Sequence, residues 1–380
     1  MSEANRPPVF SLTVITGFLG AGKTTLLNRL LRAPELANCL VLINEFGEIG
    51  LDHLLVENVA GDMVVMTSGC LCCTIRGDLV ATLEDLLRRR DNGRIAFDRV
   101  VIETTGLADP APVLHTIMYH PYLMLRFRLD GVIALVDAVN GDATLDRHAE
   151  AVKQAAVADR LVITKTDLVG PDDRGAALRA RLSRLNPTAL QLDAARGEAI
   201  AAKLLDIGLY DPEKKAPDVR RWLNAEAADH APAHHGHGNH GHEHDSHPQD
   251  VNRHDAKIRA FALRHAGPLP PAAVDMFFEL LRSAHGAHLL RVKGIIALAD
   301  DPERPLVVHG VQHVFHPPVR LDAWPDEDHT TRIVFILQDM DPVFIEGIWN
   351  AFAGLAAADT PDVAALTDNP LQIRRGGLLA

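Results

Sequence analysis

Residues 17–24 read Gly17-Phe18-Leu19-Gly20-Ala21-Gly22-Lys23-Thr24 and fit G-x4-G-K-[ST]. This spacing suits the binding of a polyphosphate. Glycines let the backbone curl until the N–H groups of Gly17, Gly20, Ala21 and Gly22 point inward at phosphate oxygens. A helix starting at Lys23 adds the positive end of its dipole, with Thr25 in its first turn. Lys23 reaches the β and γ phosphates, and the Thr24 hydroxyl is placed to bind Mg²⁺. The context is the required one: an apolar run at 9–16 precedes the loop, and helical periodicity at 23–32 follows it.

Two further strand ends carry matching chemistry. Residues 161–167 read LVITKTD, an apolar run ending in T-K-x-D, which resembles the guanine-recognition motif N-K-x-D of GTPases with Thr164 in place of Asn. The Asp167 carboxylate can accept both N1–H and the exocyclic amine of guanine. Adenine offers no such donor pair and would leave the acid unpaired. The Lys165 stem would pack over the base plane. Residues 100–106 read VVIETTG and resemble the D-x-x-G element of GTPases, with Glu103 as the acid. Glu103 would hold Mg²⁺ through water, and the Gly106 N–H would sense the γ-phosphate. Residues 44–52, NEFGEIGLD, follow another apolar run and occupy the expected place of a switch loop. Their acids Glu45, Glu48 and Asp52 could touch Mg²⁺, position water or bind a second metal; a solvated acidic loop is the alternative.

Between these elements lies Gly69-Cys70-Leu71-Cys72-Cys73-Thr74, which holds three of the chain's four cysteines. Thiolates are soft ligands for Zn²⁺ or Cu⁺. A structural zinc site usually takes four protein ligands, so three local thiols leave a place for Glu45, Glu48, a histidine or an incoming partner. An incomplete site suits a metal that must leave again. A redox pair or inert buried thiols are the alternatives. Cys39 reads as a small packed residue. Further on, eight histidines fall between His230 and His247, at spacings that let imidazoles share an ion. They read as a collecting or buffering arm, or else as a neutral polar spacer.

The elements that must hold these residues can be read from periodicity. Apolar runs at 9–16, 40–44, 63–67, 99–103, 131–137 and 160–164 alternate with helical patterns at 78–90, 146–158 and 174–184. This alternation predicts an α/β fold: a P-loop NTPase domain with a mostly parallel sheet flanked by helices. Residues 229–254 have almost no apolar side chains and read as a linker. A second pattern follows, with strands at 257–264, 289–298, 305–309, 311–315 and 332–337 and helices at 271–284 and 342–352, which predicts a smaller α+β C-terminal domain. The division is 1–210 for the NTPase domain, 211–255 for the His-rich linker, 256–357 for the C-terminal domain and 358–380 for a tail. Lysine and arginine total 38 against 50 acids, a net charge of −12, so neither nucleic acid nor a membrane surface is the expected partner. The cysteine pattern is no disulfide framework, the N-terminus is no secretory signal, and no run of about 18 apolar residues appears, so the chain reads as soluble and cytoplasmic.

Taken together, GFLGAGKTTLLNRLL, NEFGEIGLD, GCLCCT, ETTGLADP and TKTD resemble the CobW-type family of metallochaperone GTPases. LLRVKGIIAL, VVHGVQHVF and TRIVFI are similar to that family's C-terminal domain, so the resemblance spans about 9–352. It implies a protein that hydrolyses GTP to GDP and delivers a divalent ion, most often Zn²⁺, to client metalloproteins, with Cys70, Cys72 and Cys73 handling the metal near the nucleotide. Relatives associated with cobalt or iron keep Co²⁺ open. A homo-oligomer that forms with nucleotide or metal is compatible with such a role. A regulatory GTPase with structural cysteines, or a His-rich metal buffer, are the rival readings.

Overall fold

Short strands that are apolar on both faces belong in a sheet covered on both sides, and the first two hundred residues fold that way. The computed structural model describes residues 7–46, 63–68, 74–170, 175–205, 207 and 258–354. Among them, seven strands form one sheet in the order β3-β2-β4-β1-β5-β6-β7, and every neighbouring pair is parallel. The strands are β1 Phe10–Gly17, β2 Cys39–Phe46, β3 Met63–Ser68, β4 Arg99–Glu103, β5 Phe127–Asp137, β6 Arg160–Thr164 and β7 Leu190–Asp193. The helices between them are α1 Lys23–Leu30, α2 Thr74–Asp91, α3 Ala111–Tyr119, α4 Leu123–Arg126, α5 Gly141–Arg147, α6 Ala149–Val157, α7 Ala176–Leu185 and α8 Ala201–Leu204.

Period-two alternation decides which helix each strand residue meets. Leu12, Val14, Leu40, Leu42, Val100 and Ile102 pack with Leu83, Leu87, Leu114 and Ile117 on the face covered by α2 and α3. Ile15, Val41, Ile43, Val101 and Val162 face the other way, onto Leu26, Leu27 and Leu30 of α1 and Leu204 of α8. Chain order reverses around β1, which has β4 on one side and β5 on the other. A crevice outside the strand ends at such a reversal is the usual ligand position in a doubly wound sheet.

The C-terminal part is a second, antiparallel sheet in the order β11-β10-β9-β13-β8, with β12 on β10. Its strands are β8 Ile258–His265, β9 Leu289–Ile296, β10 Leu306–Val311, β11 Val314–Phe315, β12 Val319–Arg320 and β13 Thr331–Gln338, with helices α9 Pro271–His285 and α10 Pro342–Gly354. Phe277, Phe335 and Trp349 anchor its core, with the Phe277 and Trp349 rings edge-on at 4.8 Å. No described helix is long and apolar enough to cross a membrane.

Two expected elements are broken. The helix expected over 146–158 is interrupted at His148, whose extended backbone (φ −129, ψ 108) ends α5 and opens α6. The strand expected over 311–315 is a tight hairpin: Val311 pairs with Val314, and Gln312 takes a positive φ of 53° to turn the chain. Helix α3 and the four-residue strand β7 were absent from the sequence reading; β7 is too short to show a period.

The two sheets meet through buried charge. Arg291 of β9 donates to the Val157 carbonyl and to Asp159, and Lys293 lies 3.2 Å from Asp159 Oδ1. The other Asp159 oxygen accepts the Val132 N–H at 2.9 Å. Burial pushes the Asp159 carboxyl up, yet Arg291, Lys293 and the Val132 N–H outweigh it and hold the group below its usual range. Burial and the adjacent Arg291 push Lys293 down to about 7. This site has more cations than one carboxylate can match.

Removing the carboxylate should therefore cost far more than removing the lysine. Asp159→Ala is expected to destabilise the fold by about 3–5 kcal/mol, the cost of a buried charge left without its partner. Lys293→Met should be neutral or stabilising at pH 7. Since the folded-state value lies below the free value of 10.5, the unfolded chain binds more protons than the folded one between about 7 and 10.5, so this group makes the fold more stable as pH rises through that window. Melting curves at pH 7 and pH 9 check both statements, and Lys293→Met should flatten the rise.

Candidate functional site

Four strand ends converge on one rim, and the phosphate loop, Glu103, Gly106 and the T-K-x-D segment lie on it. β1 runs directly into the glycine loop. Gly17 has φ 139°, and a Cβ there would sit 2.7 Å from the Leu135 carbonyl oxygen on β5, so only glycine fits. Gly20 and Gly22 also have positive φ, and the Ala21 N–H closes a turn onto the Phe18 carbonyl at 3.1 Å. The Lys23 ammonium folds back over the loop and donates to the Gly17 carbonyl at 3.0 Å. Thr24 points across to β4, where its hydroxyl donates to Glu103 Oε1 at 3.5 Å. Thr25 is exposed on the next position of α1.

The end of β4 is stitched to the end of β1. The Thr104 N–H donates to the Ile15 carbonyl at 2.9 Å, and the Thr104 and Thr16 hydroxyls meet at 2.8 Å. The chain then passes so close to the phosphate loop that a Cβ on Gly106 would lie 2.7 Å from the Leu19 nitrogen. Glu103 is buried among these groups. A hydroxyl and a carboxylate facing each other at the mouth of an N–H-lined loop are hard oxygen donors, the set that fits Mg²⁺ bound together with phosphate.

The T-K-x-D segment sits on the same rim at the end of β6, with β5 between it and β1. The Thr164 hydroxyl donates to the Ala21 carbonyl at 2.8 Å, so the residue replacing Asn ties this loop to the phosphate loop. Lys165 takes φ 57° and its ammonium lies 2.6 Å from Asp137 Oδ2 at the end of β5. Burial pushes the Asp137 carboxyl up, but Lys165 and the Val139 N–H more than offset this and hold it below the usual range. Asp167 is exposed on the rim.

Sequence reasoning missed three residues that organise this rim. Asp193, at the end of β7, accepts from the Thr166 hydroxyl at 2.7 Å, from Arg179 at 2.8 Å and from the N–H groups of Ala195 and Arg196. It fixes residues 193–197 beside the T-K-x-D loop. Asp137 steers Lys165. Asp137 ends an apolar strand, the same signal that picked out Glu103, whereas β7 is too short to give that signal for Asp193. Gln154 on α6 gave no signal, because a single amide in a helix has no periodicity of its own.

Cys70, Cys72, Cys73 and Glu48 lie outside the described residues, as do the eight histidines at 230–247. Glu45 belongs to β2, where its backbone pairs with Thr67 of β3. Cys39 is buried in the core under α1, and burial pushes its thiol up to about 12, in keeping with its reading as a packed small residue.

Known proteins share this arrangement. Residues 11–193 match the family described as CobW/HypB/UreG, nucleotide-binding domain, and residues 258–353 match the cobalamin synthesis protein cobW C-terminal domain. The zinc chaperone YjiA of Escherichia coli (strain K12) is 34% identical over 346 residues, 91% of this chain and 98% of that one. The zinc-regulated GTPase metalloprotein activator 1 of Schizosaccharomyces pombe is 34% identical over 210 residues, 53% of this chain and 50% of that protein. The crystal structure of the zinc-bound YjiA GTPase from E. coli aligns with a TM-score of 0.62 at 27% identity and covers 91% of this chain and 99% of that one.

The close approach of Gly106 to Leu19 gives a direct test of how the rim is assembled. Gly106→Ala must push the phosphate loop away from the end of β4. It is expected to cost about 1–3 kcal/mol of stability, the usual range for overpacking. Nucleotide binding should weaken in parallel, read by titration with a fluorescent nucleotide, while Gly354→Ala, at an open position on α10, should leave binding unchanged.

Proposed function

The chain belongs to the CobW-type family of P-loop GTPases, and on that footing we propose that it binds a divalent metal at Cys70, Cys72 and Cys73 and hands it to client metalloproteins under control of the bound nucleotide. Its chemistry is GTP + H2O to GDP and phosphate, and its class is the GTPase metallochaperones. Zinc is the first candidate, because two of the similar proteins are the zinc chaperone YjiA and a zinc-regulated GTPase metalloprotein activator. Co²⁺ is the second.

In this reading the loop of Gly17, Gly20, Ala21 and Gly22 and the first helical turn at Thr25 hold the phosphates through their backbone, with the Ala21 N–H engaged in the turn to Phe18, and Lys23 bridges β and γ. Mg²⁺ would be held by Thr24 and, through water, by Glu103, and would neutralise charge between the phosphates. Gly106 reads the γ-phosphate. Thr164, Lys165 and Asp167 select guanine. Glu45 or Glu48 completes the thiol site.

One observation carries the link between metal and nucleotide. By strand register Val65 of β3 aligns with Ile43 of β2, which aligns with Glu103 of β4. Two strand spacings, about 10 Å, therefore separate β3 from the magnesium acid. Only residues 69–73 join the end of β3 to the start of α2, and they hold all three thiols. The acidic segment at 44–52 begins within β2, between the two. A loop ordered by the γ-phosphate thus has a short path to the metal. The division at 1–210, 211–255, 256–357 and 358–380, a cytoplasmic location and client recognition by the C-terminal domain complete the proposal.

Zinc affinity measured with a non-hydrolysable GTP analogue and with GDP tests the coupling. A difference of about 5- to 150-fold is expected, and it should vanish in the Cys70→Ser/Cys72→Ser/Cys73→Ser variant. Equal affinities in the two nucleotide states would reduce the protein to a GTPase with an uncoupled thiol site. Base choice has its own test: Asp167→Asn removes an acceptor and adds a donor, so GTP turnover should fall and xanthosine triphosphate, which presents a carbonyl there, should become the better substrate.

A further inference from the structure

Helix α6 buries six residues: Ala151, Val152, Gln154, Ala155, Ala156 and Val157. Five are apolar and the sixth, Gln154, is 1% exposed. Its amide nitrogen has two hydrogens and uses both. It donates to the Gly106 carbonyl at 3.1 Å and to the Ala108 carbonyl at 2.9 Å. Both carbonyls belong to the loop that follows Glu103. The next residue back, Lys153, reaches Asp109 in the same loop at 3.5 Å. The amide oxygen of Gln154 is buried and has no hydrogen-bond partner among the described residues. Gln154 also lines a cavity of about 220 Å³ shared with Phe18, Leu19, Ala21, Asp137 and Lys165.

An amide is a costly choice here if packing were its only task. A buried acceptor without a partner disfavours the fold, and an apolar side chain of the same length would avoid that cost. The compensating benefit lies in the loop. Gly106 has no side chain to limit its backbone, and it lies against Leu19 of the phosphate loop. Two hydrogen bonds from one rigid amide pin the carbonyls on either side of Leu107 and leave the loop one conformation.

We propose that Gln154 is a positioning residue for GTP hydrolysis, holding the loop after β4 so that Gly106 meets the γ-phosphate. The inference rests on the GTPase reading of the rim. It also gives the nucleotide a mechanical outlet. The first residue before α6, His148, stacks on Phe18 of the phosphate loop with ring centroids 4.4 Å apart. At the other end, Val157 and Asp159 receive Arg291 from the second sheet. The helix that clasps the switch loop is thus held by the phosphate loop at one end and by the C-terminal sheet at the other.

Gln154→Met and Gln154→Glu in the full chain test this. Methionine fills the space without donors; glutamate keeps the shape and supplies a carboxylate in place of the amide donor. Both are expected to lower kcat by about ten- to a hundredfold, the scale of a misplaced reacting group. The affinity for fluorescent GDP should stay within about twofold of wild type, because the γ-phosphate contact is absent in GDP. The melting temperature of the methionine variant should be unchanged or higher. Wild-type kcat in Gln154→Met overturns the proposal, and so does a fall in GDP affinity and melting temperature that matches the loss of turnover, which would mark a purely structural residue. Absence of GTP hydrolysis in the wild type would sink the GTPase reading instead.

Discussion

Parallel pairing on both sides of β1 is the constraint from which the rest of this molecule follows. Because β4 and β5 both run alongside β1, the chain segments leaving all three must share one crowded rim. Crowding fixes the chemistry. Gly17 has the Leu135 carbonyl where a side chain would be, and Gly106 has Leu19. The hydroxyls of Thr16, Thr104 and Thr164 then fasten the loops to one another rather than to water. A phosphate cradle built this way is rigid before any ligand arrives, which is what makes N–H groups effective as fixed dipoles.

Much of this was legible in the sequence. Gly17 and Gly22 of the phosphate loop are chosen by their positive φ, so their spacing survives as a motif. Glu103, Thr164 and Lys165 end buried strands, and an acid or lysine closing an apolar run stands out. Boundaries of β4 and β6 were read correctly because five consecutive buried residues leave no ambiguity. What stayed hidden acts at long separation. Asp193 serves Thr166 from 27 residues away, and Gln154 serves Gly106 from 48. No local period records such partnerships. The break at His148 is hidden for a different reason: both halves of the expected helix are helical, and the His148 ring stacks on Phe18, a tertiary contact, at the break between them.

The contact between the two sheets is unusual in being ionic at its centre. Asp159 anchors to β5 through the Val132 N–H while it receives Arg291 and Lys293 from β9. Around it Leu290 and Ile336 of the second sheet join the apolar cluster of α6 and α7. Apolar burial supplies the attraction, and the charges favour the docking geometry that brings Arg291 and Lys293 onto Asp159. That geometry places the end of α6 against the strand that runs through the middle of the second sheet.

Cys39 carries a practical consequence. Its thiol is enclosed in the core and burial keeps its proton on up to about pH 12. Disulfide reagents and alkylating probes attack thiolates, so in the folded protein this sulfur is chemically mute. The chain has four cysteines in all. A thiol count under native conditions should therefore leave Cys39 out, and Cys39 should add to the count on unfolding. Cys39 thus serves as an internal blank against which reaction of the other three sulfurs can be counted.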